Sequence, residues 1–254
     1  MEALRAEGLS RCFGGVQAVY DLCFSVEAGE HLAIIGPNGA GKTTLFNLLG
    51  GQLSPTAGHV YFYGQDITHM PAHQRAHLGI ARSFQVTALF PNLTLLENVL
   101  LAIQGIQPSR FQMFRSTTSY KGLFAQAQKL LEPMGLWEKK NEPVHAVSYG
   151  EQRKLEMALS LASAPKLLLL DEPSCGLTAA ESADITSRVH NLDRDITVIL
   201  VAHDMDLVFG VAERIIVLHY GQIITEGTCK QISIDPRVKE IYMGDEEITD
   251  KCSS

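Results

Sequence analysis

The stretch Gly36-Pro37-Asn38-Gly39-Ala40-Gly41-Lys42-Thr43-Thr44 decides how the rest of this 254-residue chain is organised. Residues 31–35 before it form a mostly apolar run, and large apolar residues recur at helical spacing over residues 45–49 behind it. Strand, glycine-rich loop and helix in that order are the context of a phosphate-binding loop, which an unrelated glycine-rich turn would lack. Such a loop points successive N–H groups at an anion, and the helix N-terminus adds partial positive charge. We expect Lys42 to reach the β- and γ-phosphates of a nucleotide and the Thr43 hydroxyl to bind Mg²⁺.

Composition and charge narrow the class of protein. Hydrophobic residues make up 46% of the chain, enough for one or two cores, and the net charge of −7 is unlike the basic surface of a nucleic-acid-binding protein. The five cysteines contain no C-x-x-C pair, so we expect free thiols in a reducing compartment. The N-terminus lacks the apolar core of a signal peptide, and no apolar run has the length of a membrane span. The sequence therefore predicts a cytoplasmic protein with no nucleic-acid partner, which reaches a membrane only through another protein.

The segment Ser148-Tyr149-Gly150-Glu151-Gln152 stands before a second helical pattern. Ser148 is placed as the N-cap residue, and Glu151 lies three positions later, which is the spacing of a capping box. A helix N-terminus of this kind is also able to bind an anion. A purely structural cap and an anion site therefore both remain open for this segment.

Acidic residues and a histidine follow two further buried strands. Residues 167–170 are all leucine, which predicts a strand covered on both faces, and Asp171 and Glu172 follow them. The apolar run 196–202 ends at His203. Open α/β sheets bind ligands at the carboxyl ends of such strands, and adjacent carboxylates are costly there unless they serve a metal, a base or both. We therefore expect these side chains beside the phosphate loop.

The middle of the chain differs from both ends. Apolar residues at helical spacing predict helices from about residue 86 to 164, inserted into an α/β core, with a polar loop or frayed helix at 104–122. Three histidines recur every four residues from His69 to His77. Because Pro71 starts a helix after the first of them, a solvated helix face is favoured over a metal site.

Taken together and in this order, the motifs resemble those of the ATP-binding subunits of ABC transporters across essentially the whole chain. The matching elements are the phosphate loop 36–44, Gln85, the signature 148–152, the pair Asp171-Glu172 and His203. Each motif is moderately specific by itself, and the set is strongly specific. The resemblance implies an ATPase that binds ATP and Mg²⁺.

The resemblance also implies the fold and its division. It predicts an α/β protein with a P-loop NTPase (RecA-like) core, an N-terminal antiparallel β subdomain and an inserted helical subdomain. Residues 1–254 would form a single nucleotide-binding domain. The core would comprise about 1–85 and 165–254, and the helical subdomain about 86–164.

Within this family likeness, individual residues acquire expected roles. Phe13 would stack on adenine, and the loop 36–44 would hold the phosphates. Gln85 would contact Mg²⁺ and sense a transmembrane partner, and Asp171 would hold Mg²⁺ directly or through water. The expected catalytic set is Lys42 and Gln85 together with Glu172, which would polarise the attacking water, and His203, which would contact the γ-phosphate.

The likeness places part of each site on a second subunit. Ser148 and Gly150 would close on the γ-phosphate bound by the opposite chain, which is either a copy of this chain or a sister ATPase. Thr178 departs from the family, which usually carries Asp or Asn at this position. Its hydroxyl can still accept and donate hydrogen bonds, so a weakened and a retained link across the dimer both stay open.

Details of the motifs resemble the subfamily that serves branched-chain amino-acid uptake. They are Tyr149 in the signature, where glycine is common, and the segments 80–85, 226–228 and 235–244. The implied partners are transmembrane permease subunits, a second ATP-binding subunit and, indirectly, a solute-binding protein. The implied location is the inner face of the cell membrane. A soluble regulatory ATPase without a permease and the ATPase of a lipopolysaccharide-type export system are the alternatives.

The segment 88–94 follows Gln85 and contains Phe90 and Leu93. By the resemblance, this surface would receive a short cytoplasmic helix of the permease. Burial of both side chains in an ordinary core is the alternative.

Overall fold

The computed structural model describes residues 1–83, 89–106 and 117–242. In chain order the strands are β1 (Glu2–Phe13), β2 (Val16–Glu27), β3 (His31–Ile35), β4 (Ala57–Phe62), β5 (Gln65–Asp66), β6 (Ile80–Arg82), β7 (Leu167–Asp171), β8 (Thr197–Val201), β9 (Arg214–His219) and β10 (Gln222–Gly227). The α-helices are α1 (Lys42–Gly50), α2 (Ala72–Leu78), α3 (Leu95–Ile106), α4 (Thr117–Leu131), α5 (Tyr149–Leu161), α6 (Ala179–His190), α7 (Met205–Val211), α8 (Cys229–Ile234) and α9 (Pro236–Tyr242). Short 3-10 turns at Trp137–Lys139 and Val144–Ala146 precede α5.

An antiparallel sheet in the order β2-β1-β4-β5 forms the N-terminal part of the structure. The sequence pattern predicts several short strands here, whereas β1 and β2 each run for 12 residues. Register shifts interrupt their pairing, for example between Ala6 and Leu9. Each register shift breaks the alternation of apolar and polar residues. The sequence pattern therefore predicts separate short strands, although the backbone continues through the shifts as two long strands.

A six-stranded sheet in the order β10-β9-β3-β8-β7-β6 forms the centre. Strands β9, β3, β8, β7 and β6 pair in parallel, and β10 adds an antiparallel edge. Every residue of β3, β7 and β8 is buried, as the four leucines of β7 predict. The carboxyl ends of these three strands lie at one edge, where Gly36, Glu172 and Ala202 follow them.

Helices α3, α4 and α5 pack on one another and lie between β6 and β7 in the chain. Their buried side chains, including Val99, Leu123 and Leu155, belong to the same apolar cluster as Leu168 and Leu170 of β7. The helical layer is therefore attached to one face of the central sheet. In the described part of the chain, no helix has both the length and the apolar character needed to cross a bilayer.

The polar segment 104–122 is more helical than the sequence predicts. Helix α3 continues to Ile106, and α4 begins at Thr117, while residues 107–116 lie outside the described residues. Neither glycine nor proline occurs over 117–121, so the helix fixed by packing at Leu123 can extend toward its N-terminus.

A buried arginine holds the carboxyl end of α1. Arg75 of α2 is 1% exposed, and its Nη1 donates to the carbonyl oxygens of Leu48 and Leu49 at 2.8 and 2.7 Å. Its remaining nitrogens donate to the carbonyl oxygens of residues 67, 68 and 70. Burial lowers the pKa of Arg75 to about 10, so the side chain stays charged at neutral pH. A cation at this end of α1 is stabilised by the negative end of the helix dipole.

Candidate active site

The glycine-rich loop joins β3 to α1. Helix α1 begins at Lys42, and its N-cap residue Gly41 has a left-handed backbone with a φ of 102°. Among the described residues no side chain caps this terminus, and its first turn contains no acidic residue. A Cβ atom on residue 41 would collide with the carbonyl oxygen of Ala18 on β2, so the site requires glycine. The backbone N–H groups at the start of α1 are therefore left for an anionic ligand.

Lys42 reaches back across the loop. Its ammonium group donates to the carbonyl oxygens of Gly36 at 2.5 Å and Pro37 at 3.0 Å, and the residue is 6% exposed. Burial lowers the pKa of Lys42, and the nearby carboxylates of Glu172 and Asp171 act against that shift. The ammonium group thus lies inside the loop and within electrostatic reach of both acidic side chains.

The turn between β9 and β10 braces the loop from behind. The N–H of Gly221 in this turn donates to the carbonyl oxygen of Ala40 at 2.9 Å. Ala40 is buried, whereas Asn38, Gly39 and Thr43 are exposed. The loop therefore presents its tip and the first-turn hydroxyl of α1 outward, with Thr44 half-buried behind them.

Asp171, the last residue of β7, forms an ion pair that none of the sequence motifs indicated. Its side chain is 1% exposed, and its Oδ2 lies 2.7 Å from Nη2 of Arg82. Nη1 of Arg82 donates to Oδ1 of Asn47 on α1 at 2.6 Å. The signal that could have found it is a basic residue at the carboxyl end of β6, the strand beside β7. The guanidinium joins β7 to the helix that follows the loop.

Glu172 and His203 lie in contact at the same edge of the sheet. Nε2 of His203 is 3.0 Å from Oε1 of Glu172, and both side chains are partly exposed. Glu172 has a left-handed backbone with a φ of 48°, and its N–H donates to the carbonyl oxygen of Val201. Such a backbone at a non-glycine residue costs about 1–3 kcal/mol and is concentrated at functional sites. Beyond His203, Asp204 caps α7 and accepts a hydrogen bond from Ser182 at 2.5 Å, which fixes this turn.

Phe13 stands at the end of β1, opposite Val16 in the hairpin that leads into β2. Its ring is 43% exposed, and the guanidinium carbon of Arg11 lies 4.7 Å from the ring centre. Two residues beyond Val16, Ala18 touches the position of Gly41. An exposed aromatic ring therefore lies on the hairpin that adjoins the loop.

Helix α5 begins with the capping box that the sequence predicts. Oγ of Ser148 accepts from the N–H of Glu151 at 3.2 Å, and the Glu151 carboxylate accepts from the N–H of Ser148 at 2.9 Å. Lys139 forms an ion pair with the same carboxylate at 2.7 Å. Burial alone would raise the pKa of Glu151, but the hydrogen bonds from Lys139 and Ser148 outweigh it and lower the pKa. A carboxylate of its own first turn therefore already neutralises this helix terminus.

Tyr149 and Gly150 connect the start of α5 to the segment after β7. The Tyr149 hydroxyl donates to the carbonyl oxygen of Cys175 at 3.4 Å and accepts from Nη2 of Arg153 at 2.5 Å. Gly150 lies so close to the Glu181 carboxylate on α6 that a Cβ atom would displace it. The signature segment is thus packed against residues that follow Glu172 in the chain.

Thr178 is the N-cap residue of α6. Its Oγ1 accepts from the N–H of Glu181 at 3.4 Å, and Glu181 accepts from the N–H of Thr178 at 3.0 Å. Threonine is, like Asp and Asn, among the preferred residues for such a cap. The capping role at this position is therefore filled despite the departure from the family pattern.

The docking segment proposed at 88–94 is described only in part, because Ala88, like Gln85, lies outside the described residues. Phe90 is 56% exposed and Leu93 is partly buried, so Phe90 is not a core residue. Asn98 of α3 accepts from the N–H of Phe90 at 2.9 Å and donates to its carbonyl oxygen at 3.2 Å.

Beside this segment, a groove of about 350 Å³ separates the helical layer from the core. Its apolar lining includes Ala76, Ala81, Leu89, Ala102 and Leu159.

The histidine series before and within α2 forms no metal site among the described residues. In that part of the chain, no three His, Cys, Asp or Glu side chains are grouped closely enough to hold a metal ion. Helix α2 begins at Ala72 with Pro71 as its N-cap, so His69 precedes the helix. His73 and His77 are exposed, as expected for a solvated helix face.

Comparison with known proteins finds similarity to ABC transporter ATP-binding proteins over nearly the whole chain. Residues 19–175 match the family model described as ABC transporter. The chain is 36% identical over 249 residues to the high-affinity branched-chain amino acid transport ATP-binding protein BraF of Pseudomonas aeruginosa, covering 95% of this chain and 98% of BraF. It is 31% identical over 246 residues to the lipopolysaccharide export system ATP-binding protein LptB of Acidithiobacillus ferridurans, covering 96% and 98% of the two chains.

A solved structure shows the same fold. The ADP conformation of MJ1267, an ATP-binding cassette of an ABC transporter, matches with a TM-score of 0.85 at 32% identity, over 96% of this chain and 100% of that one. The predicted P-loop core with an antiparallel β part and inserted helices is confirmed. The chain therefore belongs to the ABC transporter ATP-binding family and is a nucleotide-binding, ATP-hydrolysing subunit of such a transporter.

Proposed function

We propose that this chain is the motor subunit of an importer for branched-chain or other hydrophobic amino acids. The observation that carries the proposal is the convergence of the uncapped α1 terminus at Lys42 with Asp171, Glu172 and His203 at one edge of the sheet. The likeness to BraF supports the choice of solute, which a permease and an external solute-binding protein would select. In this proposal the subunit works in the cytoplasm, held at the inner face of the membrane by its permease.

The loop and the adjoining hairpin would bind the nucleotide. The N–H groups at the start of α1 would hold the phosphates, and Lys42 would exchange its bonds to Gly36 and Pro37 for the β- and γ-phosphates. Phe13 would stack on the base through the exposed part of its ring. This proposal gives the base an aromatic ring to stack on, but it assigns no residue that would hydrogen-bond to the edge of the base.

The residues at the loop fit Mg²⁺, which prefers oxygen ligands. Thr43 offers an exposed hydroxyl on the first turn of α1, and Asp171 offers a carboxylate at the end of β7. Gln85 is the third proposed ligand, on the resemblance alone. Mg²⁺, when bound, would neutralise charge on the β- and γ-phosphates.

Hydrolysis would depend on Glu172. Its partly exposed carboxylate lies within electrostatic reach of Lys42, where it would orient and polarise the attacking water. His203, 3.0 Å from that carboxylate, would hold Glu172 in place and contact the γ-phosphate.

The second half of each site would come from another subunit. Ser148 and Gly150 contact Glu151 and Glu181 within their own chain. We propose that their terminus faces the γ-phosphate bound by the partner, so that hydrolysis is tied to opening of the dimer. The chain would act as one domain over 1–254, with the core and the helical subdomain meeting near residues 85 and 165.

Substitution of Glu172 by glutamine tests the catalytic assignment. The change keeps size and hydrogen bonding but removes basicity, so hydrolysis should fall by about 10²- to 10⁴-fold. ATP binding should survive, and an ATP-bound dimer should accumulate in size-exclusion chromatography. Near-normal turnover of the purified variant would exclude this role.

A mixing experiment tests the shared site. Lys42→Ala and Ser148→Arg should each inactivate a homodimer. In a mixed dimer both defects fall in one site, so the other site keeps an intact lysine and an intact serine, and some hydrolysis should return. Absence of rescue at every mixing ratio, both with this chain alone and with the changes divided between it and a sister ATPase, would remove the trans-site mechanism.

The docking surface is tested by a charge at Phe90. We propose that the groove lined by Ala81 and Leu89, together with Phe90, receives a cytoplasmic helix of the permease. Phe90→Glu should abolish recovery of the subunit with permease-containing membranes and leave basal ATPase activity unchanged. Ile234→Glu is the matched control, because Ile234 is also an exposed apolar residue but lies on α8. Equal membrane recovery of both variants would contradict this docking surface.

Uptake of labelled leucine, isoleucine and valine by cells with and without the chain tests the solute. The importer proposal predicts loss of uptake together with association of the chain with its permease. Normal uptake with a defect in lipopolysaccharide export would favour the exporter alternative. The 31% identity to LptB is the reason for testing that alternative. A chain that never follows its permease into the membrane fraction would favour a regulatory ATPase.

A further inference from the structure

The cation that meets the buried carboxylate of Asp171 is an arginine, not the lysine of the loop. Lys42 donates to the carbonyl oxygens of Gly36 and Pro37, whereas Nη2 of Arg82 lies 2.7 Å from Oδ2 of Asp171. The two side chains of this ion pair are 11% and 1% exposed. A carboxylate buried to this extent is strongly destabilising unless a positive charge accompanies it.

Arg82 is itself fixed on three sides. Its Nη1 donates to Asn47 at 2.6 Å and to Gln52 at 3.3 Å, and its guanidinium carbon lies 5.7 Å from the ring centre of Phe46. Nη2 of Arg82 donates to Oδ2 of Asp171 at 2.7 Å. The guanidinium therefore supplies the buried carboxylate with its positive charge.

We propose that Arg82 is the resident counter-cation of Asp171, which supplies in the nucleotide-free chain the positive charge that Mg²⁺ supplies in the loaded site. The inference rests on the proposed role of Asp171 as a magnesium ligand. It adds that Arg82 keeps free divalent cations out of the empty site, so that Mg²⁺ enters with the phosphates of the nucleotide.

Electrostatics gives this exclusion its expected size. A guanidinium and a divalent cation that share one carboxylate repel each other by several times the thermal energy, even at an effective dielectric constant of about 20. The negative phosphates of a nucleotide offset that repulsion, whereas an empty site has nothing to offset it. Removing the arginine charge should therefore strengthen nucleotide-free binding of a divalent ion by about tenfold or more.

The first test measures Mn²⁺ binding without nucleotide by electron paramagnetic resonance, with Mn²⁺ as a stand-in for Mg²⁺. Arg82→Gln should bind Mn²⁺ at least about tenfold more tightly than the natural chain, whereas Arg82→Lys, which keeps the charge, should not. Asn47→Ala is the control, because it removes another partner of Arg82 and leaves the ion pair; its Mn²⁺ affinity should stay within about twofold of the natural chain. Equal Mn²⁺ affinity of Arg82→Gln and the natural chain would overturn the proposal.

The second test is a double-mutant cycle in thermal unfolding of the nucleotide-free chain. Arg82→Gln and Asp171→Asn should each lower Tm, because each leaves a buried charge without its partner. The double variant should be more stable than the sum of the two effects, whereas purely additive effects would overturn the proposal. If Arg82→Gln cannot be isolated, a folded double variant supports the pairing, and a double variant that also fails to fold overturns it.

Failure of this inference is distinguishable from failure of the proposed function. Asp171→Asn should remove the increase in ADP affinity that Mg²⁺ produces. If that increase persists, the magnesium role of Asp171 is wrong. If it disappears while Arg82→Gln leaves Mn²⁺ binding unchanged, the magnesium role stands and the counter-cation role of Arg82 is wrong.

Discussion

Two helix N-termini, those of α1 and α5, carry the proposed phosphate contacts, and they are built in opposite ways. Helix α1 starts from Gly41 in a left-handed conformation, with no side-chain cap among the described residues and no acid in its first turn. Helix α5 starts from Ser148 with a complete capping box, and Glu151 of its first turn also binds Lys139. The first terminus is open to an anion, whereas the second already holds one of its own.

This difference gives the order in which the proposed site would form. At α1 a phosphate can take backbone N–H groups without displacing a side-chain cap, with Lys42 close by. At α5 the N–H groups of Ser148 and Glu151 are already bonded within the capping box, and the Glu151 carboxylate is paired with Lys139. The nucleotide should therefore bind first at α1, and α5 should contribute only when a second subunit brings it against the bound phosphate.

The largest expected effect is at the open terminus. Gly41→Ala should weaken binding of Mg²⁺–ADP by about 100-fold, because a Cβ atom forces the loop away from Ala18 and misplaces its N–H groups. Gly39→Ala is the matched control: Gly39 also has a positive φ, but nothing lies within 4 Å of its added Cβ atom. Gly39→Ala should show only the cost of a left-handed backbone at alanine, about 1–2 kcal/mol in the free energy of unfolding. Calorimetric titration of both variants measures their affinities for Mg²⁺–ADP, and circular dichroism establishes that they are folded. Equal losses of affinity would contradict the role of the close approach between Gly41 and Ala18.

A smaller effect is expected at the capped terminus. Ser148→Ala should lower the free energy of unfolding by about 1 kcal/mol, since it removes an N-cap. It should leave the ADP affinity of the isolated chain unchanged. Thr178→Ala removes the same kind of cap from α6 and should cost a similar amount in urea unfolding. If Ser148→Ala lost as much ADP affinity as Gly41→Ala, the N-termini of α1 and α5 would both contact the nucleotide within one chain. The proposed difference between them would then be wrong.

The two termini should also differ in their response to acid. Folding lowers the pKa of Glu151, so this group adds stability above its ordinary pKa of 4.5 and loses that contribution as the pH falls through the lowered value. Helix α1 has no acid in its first turn to behave in this way. The difference in unfolding free energy between the natural chain and Glu151→Gln should therefore shrink between pH 7 and about pH 3. Urea unfolding across that range measures it, and a difference independent of pH would contradict the assignment.

The smallest expected effect concerns Tyr149. Tyr149→Phe removes a hydroxyl that donates to Cys175 over 3.4 Å and accepts from Arg153 at 2.5 Å. Because both bonds are exposed and exchange with water, the free energy of unfolding should change by less than about 1 kcal/mol. Tyr149→Gly also removes a ring that lies against Gly176 and should cost more. Both are measured by urea unfolding. A cost for Tyr149→Phe above that of Ser148→Ala would show that the link to the segment after β7, rather than the cap, holds this terminus.

What the sequence revealed was local. The capping box at Ser148, the strand of four leucines and the loop before α1 each depend on residues within a few positions of one another, and the structure contains all three. The ion pair of Arg82 joins residues 89 positions apart, and its bond to Asn47 spans 35 positions, so no local pattern could show it. The long strands β1 and β2 were hidden for a related reason, because the partner strand sets where their register shifts fall.

The buried arginine on α2 ties the carboxyl end of α1 to the rest of the core. Arg75 donates to the carbonyl oxygens of Leu48 and Leu49 and, through the same guanidinium, to three carbonyl oxygens in the segment before α2. Sliding α1 along its axis would break these hydrogen bonds and leave a buried guanidinium without acceptors. The helical layer carrying α5 is joined to the central sheet by side-chain packing and hydrogen bonds rather than by a shared strand. A phosphate bound at the N-terminus of α1 therefore meets a helix whose carboxyl end is already tied to the core through one side chain, Arg75.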